Sequence, residues 1–456
     1  MANHPGNDEK GKPRASLFYV PLHEAFWYWL KLGFISFGGP AGQIALMHAE
    51  LVERRRWISE HRFLHALNYC MLLPGPEATQ LAIYIGWLMH RTLGGIIAGV
   101  LFVLPSLLLL IGLSWVYMAY GSVPAIAGIL YGMKPAVVAI VLAAAWRIGK
   151  RTLRNRPLAA IALAAFIAIS FLKLPFPALV ATAALLGWIG GRLRPQWFAP
   201  GGAGHAAHGP AAPPAGHQPA LIDDDTPTPP HARFRWAGLA RVIAAGIALM
   251  GGAWLLLAWL FGVHQPLAQM GWFFTKAALM TFGGAYAVLP YVYQGGVEHF
   301  HWLSAAQMVD GLALGETTPG PLIMVVAFVG FVGAWTHEAI ASHPALAGIA
   351  GAVVAAWFTF VPSFVFILAG GPLVESTRGN IRMTAPLTAI SAAVVGVIAS
   401  LALFFGMHVF HPAGRWDWPA VLIAAAAAIA LMRYQQGTIR VLLACAIAGV
   451  VLSYRV

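Results

Sequence analysis

Two lysines, two glutamates and a set of glycine–proline interruptions are the residues of this chain best suited to chemistry in an apolar phase. Lys31 lies seven residues before Gly38, and Lys276 seven before Gly283. Two helical turns separate the members of each pair, so lysine and glycine share a helix face. A lysine inside a membrane segment costs roughly 2.5–3.5 kcal/mol. That cost calls for a carboxylate or an anionic cargo as partner, or for snorkelling to the headgroups, since each lysine falls in the first half of its segment. Lys134, before Pro135, is a third lysine in an apolar run. Glu77 follows Pro76 directly, with Thr79 and Gln80 behind it; Glu316-Thr317-Thr318 precedes Pro319, and Asp310 lies upstream. Such carboxylates exchange protons or pair with Lys31 or Lys276, whereas Glu77 at a helix start can also serve the dipole alone. Thr79, Gln80, Thr317 and Thr318 can donate hydrogen bonds to oxyanion oxygens or cap helices.

The interruptions that position these groups come in two kinds. Phe37-Gly38-Gly39-Pro40 has the counterpart Phe282-Gly283-Gly284, where Ala285 stands in the place of the proline. Pro74-Gly75-Pro76 has the counterpart Pro319-Gly320-Pro321. Glycine weakens a helix and proline removes a donor, so each motif splits a helix in two. Pro40 suits the first turn of a new half-helix. The N-terminus of a half-helix presents free N–H groups and a positive dipole end, which together bind anions. A packing kink is the plainer account of one such break; four at duplicated positions favour a midplane binding site.

The elements around them are membrane helices. Of the 456 residues 59% are hydrophobic and 10% charged, too few charges to cover a water-soluble globule. The apolar runs do not alternate as barrel strands do, so helices are the spanning element. About thirteen hydrophobic segments can be read: near 22–48, 66–89, 93–118, 124–146, 157–172 and 175–191, then 237–262, 268–293, 307–335, 345–370, 384–409, 417–432 and 437–454. The fold class is an all-α polytopic membrane protein. Residues 1–21 form a polar tail without a signal-peptide pattern. Residues 22–194 form a first transporter repeat, 195–235 a flexible linker rich in Gly, Pro and His, and 236–456 a second repeat. The linker histidines, His205, His208, His217 and His231, match no closed metal site. The net charge of +12 is read as loop charge that sets topology and meets anionic lipid, not as a nucleic-acid surface. Cys70 and Cys445 form no disulfide framework. No cofactor, ATPase or hydrolase motif is present in the sequence.

A shift of 245 residues superposes the halves without a gap over the decisive stretch. Trp27 falls on Trp272, Lys31 on Lys276, Phe37-Gly38-Gly39 on Phe282-Gly283-Gly284, and Glu53, Trp57 and Ser59 on Glu298, Trp302 and Ser304. Pro74-Gly75-Pro76 falls on Pro319-Gly320-Pro321, and Pro105-Ser106 resembles Pro362-Ser363 further on. An odd number of crossings separates the copies, so the two homologous halves are inverted, with Gly/Pro-broken helices in each. With a cytoplasmic N-terminus the positive-inside rule is obeyed by Arg147–Arg156 and by both ends of the linker. One loop disagrees: Glu53-Arg54-Arg55-Arg56 would face outward. Either the segment count is wrong there, or the first segments are re-entrant.

The stretches SFGGPAGQIALMH (Ser36 to His48) and LLPGPEATQLAIYIGW (Leu72 to Trp87), with their copies TFGGAYAVLPYV (Thr281 to Val292) and GETTPGPLIMVVAFVGF (Gly315 to Phe331), resemble the chromate ion transporter family in its long, two-domain form. The resemblance covers nearly the whole chain apart from the linker. It implies gradient-driven export of chromate across a bacterial inner membrane, with Phe37, Gly38, Gly39, Pro40, Pro74, Gly75, Pro76, Glu77, Gln80 and the matching second-half glycines and prolines in the pathway. Sulfate, a similar tetrahedral dianion, stays open as an alternative cargo, as do proton antiport and a homodimer. A polytopic membrane enzyme is the competing class, and it lacks the acid or histidine cluster in an aqueous loop that such an enzyme needs.

Overall fold

The computed structural model describes residues 20–198, 220–224, 226–227, 229–282, 284–340, 343–376 and 385–453. Gly283, Asp225 and the linker histidines His205, His208 and His217 lie outside them. Among the described residues the chain is all-α, with one isolated bridge, Ile58 to Ile222, in place of any sheet. The first half holds α1 (Leu22–Ile35), α2 (Gly39–His48), α3 (Glu60–Cys70), α4 (Glu77–Tyr120), α5 (Pro124–Thr152), α6 (Arg156–Ser170) and α7 (Phe176–Leu193). The second holds α8 (Trp236–Phe261), α9 (Pro266–Leu279), α10 (Ala285–Tyr293), α11 (Ala305–Thr317), α12 (Val325–Thr336), α13 (Pro344–Ser376), α14 (Ala385–Phe410), α15 (Trp418–Met432) and α16 (Thr438–Ser453). Six of the described helices are long and apolar enough to cross a membrane. On α8 the apolar surface is almost wholly outward, and exposed Trp236 and Trp259 stand near its two ends, as interfacial aromatics do.

The broken segments are hairpins that enter and leave by one face. α1 has 14 residues, about 21 Å, and α2 has 10, about 15 Å, both short of the roughly 30 Å apolar core. Glu24 at the start of α1 pairs with Arg55 beyond α2 at 3.0 Å, and the Tyr28 and Trp57 rings sit 5.2 Å apart. The two ends of the hairpin are therefore neighbours. The same face receives the end of the linker: Leu221 and Ile222 N–H donate to the Arg56 and Trp57 carbonyls at 2.9 and 3.1 Å, and Ser59 N–H donates to Ile222 at 3.0 Å. The second hairpin is α3 with the first turns of α4. It returns to that face, where the His231 ring meets the Trp87 carbonyl at 3.0 Å. There α4 reverses at His90 and Arg91, whose backbone leaves the helical region (φ 57° at Arg91). The close approach of Gly86 and Gly94 across the reversal leaves no room for a Cβ on either.

This geometry accounts for the loop that broke the positive-inside pattern. Glu53–Arg56 lies on the linker face because the segment before it turns back. It also shows that linker residues 220–224 are docked on the first repeat, with Ile222 buried. α8 then carries the chain across to the opposite face. From there the second repeat sends in the hairpins α9–α10 and α11–α12, with Phe273 of α9 against Phe300 and Trp302 beyond α10 at 5.7 and 5.3 Å. The hairpins of the two halves thus enter from opposite sides.

Candidate functional site

The tips of the four hairpins are the four breaks, and they bond crosswise between the repeats. The N–H of Gly75 donates to the Thr281 carbonyl at 2.7 Å, and the N–H of Gly320 donates to the Ser36 carbonyl at 2.7 Å. The repeat shift of 245 turns one bond into the other, since Ser36 maps to Thr281 and Gly75 to Gly320. Each break of one kind is therefore held by the break of the other kind from the opposite repeat. Opened helix ends in an apolar phase need partners for their backbone groups, and here each copy supplies them to the other.

Gln80, which the sequence singled out, and Gln43 and two serines, which it did not name as site residues, complete the junctions. Gln43, buried in α2, donates from Nε2 to the Gly320 carbonyl at 2.5 Å and to the Ser36 carbonyl at 3.4 Å. Gln80 donates to the Pro74 carbonyl at 2.7 Å and reaches Ser363 at 3.5 Å. A Cβ on Gly75 would sit 2.6 Å from the Ser363 hydroxyl, and one on Gly320 would sit 2.8 Å from Cβ of Ser106. The duplicated Pro-Ser pairs were the signal for these serines: each belongs to the helix that covers the other repeat's Pro-Gly-Pro. Buried around the junctions, Ser36 Oγ, Gln43 Oε1, Thr79 Oγ1, Gln80 Oε1 and Ser106 Oγ have no hydrogen-bond partner among the described residues.

The two kinds of break differ in packing. The Pro-Gly-Pro glycines lie beneath serines, but the space beside Gly39 and Gly284 is open: chain neighbours aside, no atom of the described residues lies within 4 Å of a Cβ built on either. Gly38, Gly39 and Gly284 have φ of 90°, 70° and 100°, values that side chains rarely adopt. Gly38 and Gly284 are the N-cap positions of α2 and α10. Pro40 stands in the first turn of α2. Phe37 is exposed and Phe282 half-buried.

The carboxylates stand beside the junctions. Glu77 opens α4, and Glu316 lies in the last turn of α11. Tyr286 of α10 donates to Glu316 at 2.5 Å, tying one junction to the other. Both carboxylates are half-buried. Their basic neighbours are one turn apart on α5: the field of Arg151 reaches Glu77, and that of Arg147 reaches Glu316. Thr317 and Thr318 turn their hydroxyls back to the Leu314 and Gly315 carbonyls at 2.7 and 2.9 Å, closing the end of α11. Lys31 and Lys276 pair with no carboxylate among the described residues. Lys31 is exposed, and the Lys276 ammonium lies 5.7 Å from the ring of Trp272, itself exposed. The intramembrane lysine that does find a carboxylate is Lys134, 3.3 Å from Asp310.

Two inverted repeats that send broken hairpins from opposite faces to a common polar centre define a polytopic membrane transporter. The sequence matches the family described as Chromate transporter over residues 23–188 and 268–450, and the chain belongs to that family. It is 28% identical to the chromate transport protein of Cupriavidus metallidurans over 91% of this chain and 89% of that one. It is 32% identical to the chromate transport protein of Pseudomonas aeruginosa over 83% and 80%, and 28% identical to a probable chromate transport protein of Synechococcus elongatus over 90% and 89%. No solved structure matches it.

Proposed function

We propose that this protein exports chromate across the inner membrane of a bacterium, driven by the electrochemical gradient. The observation that carries the reading is the open space at Gly39 and Gly284, where two half-helix N-termini end beside the crossed Gly75–Thr281 and Gly320–Ser36 bonds. A tetrahedral dianion has acceptor oxygens and no donors. It suits free N–H groups and hydroxyls that have no partner of their own. Ser36, Thr79 and Ser106 are the hydroxyls within that centre, and Gln43 and Gln80 hold its carbonyls. Lys31, exposed, and Lys276, half-buried, stand two turns from the glycine pairs and add positive potential at a distance rather than a contact. Arg147 and Arg151, exposed on α5 and acting on Glu316 and Glu77 through their charge alone, give an anion a basic approach from the linker face.

The driving force is sufficient without ATP. Each charge crossing 100 mV is worth about 2.3 kcal/mol, so a dianion leaving a cell negative inside gains roughly 4.6 kcal/mol, enough for a gradient above a thousandfold. Proton antiport can add to this but is not needed for it. The test is uptake of radiolabelled chromate into everted vesicles with voltage and pH gradients imposed separately, sulfate as competitor, and Glu77→Gln beside the parent. Voltage-dependent uptake supports the reading. Absence of chromate flux from well-expressed protein overturns it, and full competition at equal sulfate concentration replaces chromate selectivity with general oxyanion transport.

A further inference from the structure

One buried ion pair joins the repeats on the side away from the linker. Lys134 of α5 lies 3.3 Å from Asp310 Oδ2, and the Tyr117 hydroxyl of α4 donates to the same oxygen at 3.0 Å. The Asp310 side chain is 4% exposed and that of Lys134 29%. Asp310 Oδ1 is buried without a partner among the described residues. α5 and α4 belong to the first repeat and α11 to the second. Asp310 lies five residues after the start of α11, toward the face opposite the linker. The other end of α11 carries Glu316 and the Thr318–Pro321 tip. Among the described residues Lys134 and Tyr117 are the charged and titratable groups that act on Asp310. The position equivalent to Asp310 in the first repeat is His65, so that repeat has no carboxylate there.

A buried pair with one oxygen unsatisfied contributes little net stability, because desolvation offsets the attraction. Removing one partner is costly, whereas admitting water to both is not. Such a contact holds firmly while dry and parts readily once wetted. Because it spans the two repeats, it parts when they separate. We propose that Lys134 and Asp310, with Tyr117 holding the carboxylate, form the gate on the face opposite the linker, closed in this structure. The proposal rests on the transport reading above. Opening it admits water from that face to the hairpin tips and displays the Lys134 ammonium to a departing anion.

The test reads access rather than flux. Ser106→Cys, at the tips, is labelled by a membrane-impermeant maleimide applied from the face opposite the linker, in full-length protein in which Cys70 and Cys445 are replaced by alanine. Asp310→Asn is expected to speed labelling by about tenfold or more, and Asp310→Glu to keep it slow. The double variant Lys134→Met/Asp310→Asn leaves no charge unpaired, so it stays folded, and it is expected to label as fast as Asp310→Asn. Slow labelling of the double variant would mean that packing, not charge, closes this face, and would overturn the gate; so would labelling of Asp310→Asn no faster than the parent. Failure of chromate flux in the parent would sink the export reading and leave the labelling result to stand or fall alone.

Discussion

Gly75 gives the sharpest test of the crossed junction, because two separable costs meet there. Its φ is 124°, and placing a side chain in so unusual a backbone region costs about 1–3 kcal/mol. A Cβ would also lie 2.6 Å from Ser363 Oγ and 2.7 Å from Gln80 Nε2; overpacking of that kind costs a further ~1–3 kcal/mol. Gly75→Ala should therefore lose about 2–6 kcal/mol in total, and Ser363→Ala should return part of the packing share, leaving the backbone share untouched. Gly284→Ala is the control. Its φ is 100° and, chain neighbours aside, no atom of the described residues lies within 4 Å of the added methyl, so strain is the cost, and the lost space should appear as reduced transport. The assay is thermal unfolding of purified protein in detergent, followed by size-exclusion of the surviving fraction, with chromate flux measured on the same preparations. Gly75→Ala should melt well below Gly284→Ala, and the Gly75→Ala/Ser363→Ala double should lie between. Gly75→Ala as stable as Gly284→Ala, or no recovery from the second substitution, would refute the cross-repeat packing.

Gln43→Leu removes the donor shared by the Gly320 and Ser36 carbonyls and should cost about 1–3 kcal/mol, read as a lower melting temperature, with reduced chromate flux. A cysteine at Arg54 should be labelled from the same side of the membrane as the linker, and one at Lys173 from the other; labelling of both from one side would exclude the re-entrant hairpin. At the linker face, hydrogen bonds from Arg55 hold the Glu50 carboxyl below the usual carboxylate range, with Arg54 assisting. A depressed folded-state pKa contributes stability that is present above the unfolded value, near 4.5, and is lost as pH falls through the folded one. The parent should therefore lose stability on acidification below about pH 4.5 more steeply than Glu50→Gln.

The breaks were legible because glycine and proline act through the backbone, and their duplication by a constant shift of 245 residues survives in sequence. Their pairing was not. The Gly75–Thr281 and Gly320–Ser36 bonds use main-chain atoms only, and a main-chain donor leaves no residue type to read. The hairpin returns were half-visible. Segment 22–48 is long enough to span when counted as one run. Only the misplaced Glu53–Arg56 charges hinted that it turns back, and the Glu24–Arg55 pair that proves the return is formed by residues thirty-one apart. The lysines show the limit of reasoning from symmetry. Lys31 and Lys276 were conspicuous because they repeat, whereas Lys134 and Asp310 pair across the repeats from positions that do not correspond. Duplication marks what both copies need to fold and to face each other. What differs between the copies sits in residues that one has and the other lacks: Glu77 against Leu322, Glu316 against Met71, and Asp310 against His65.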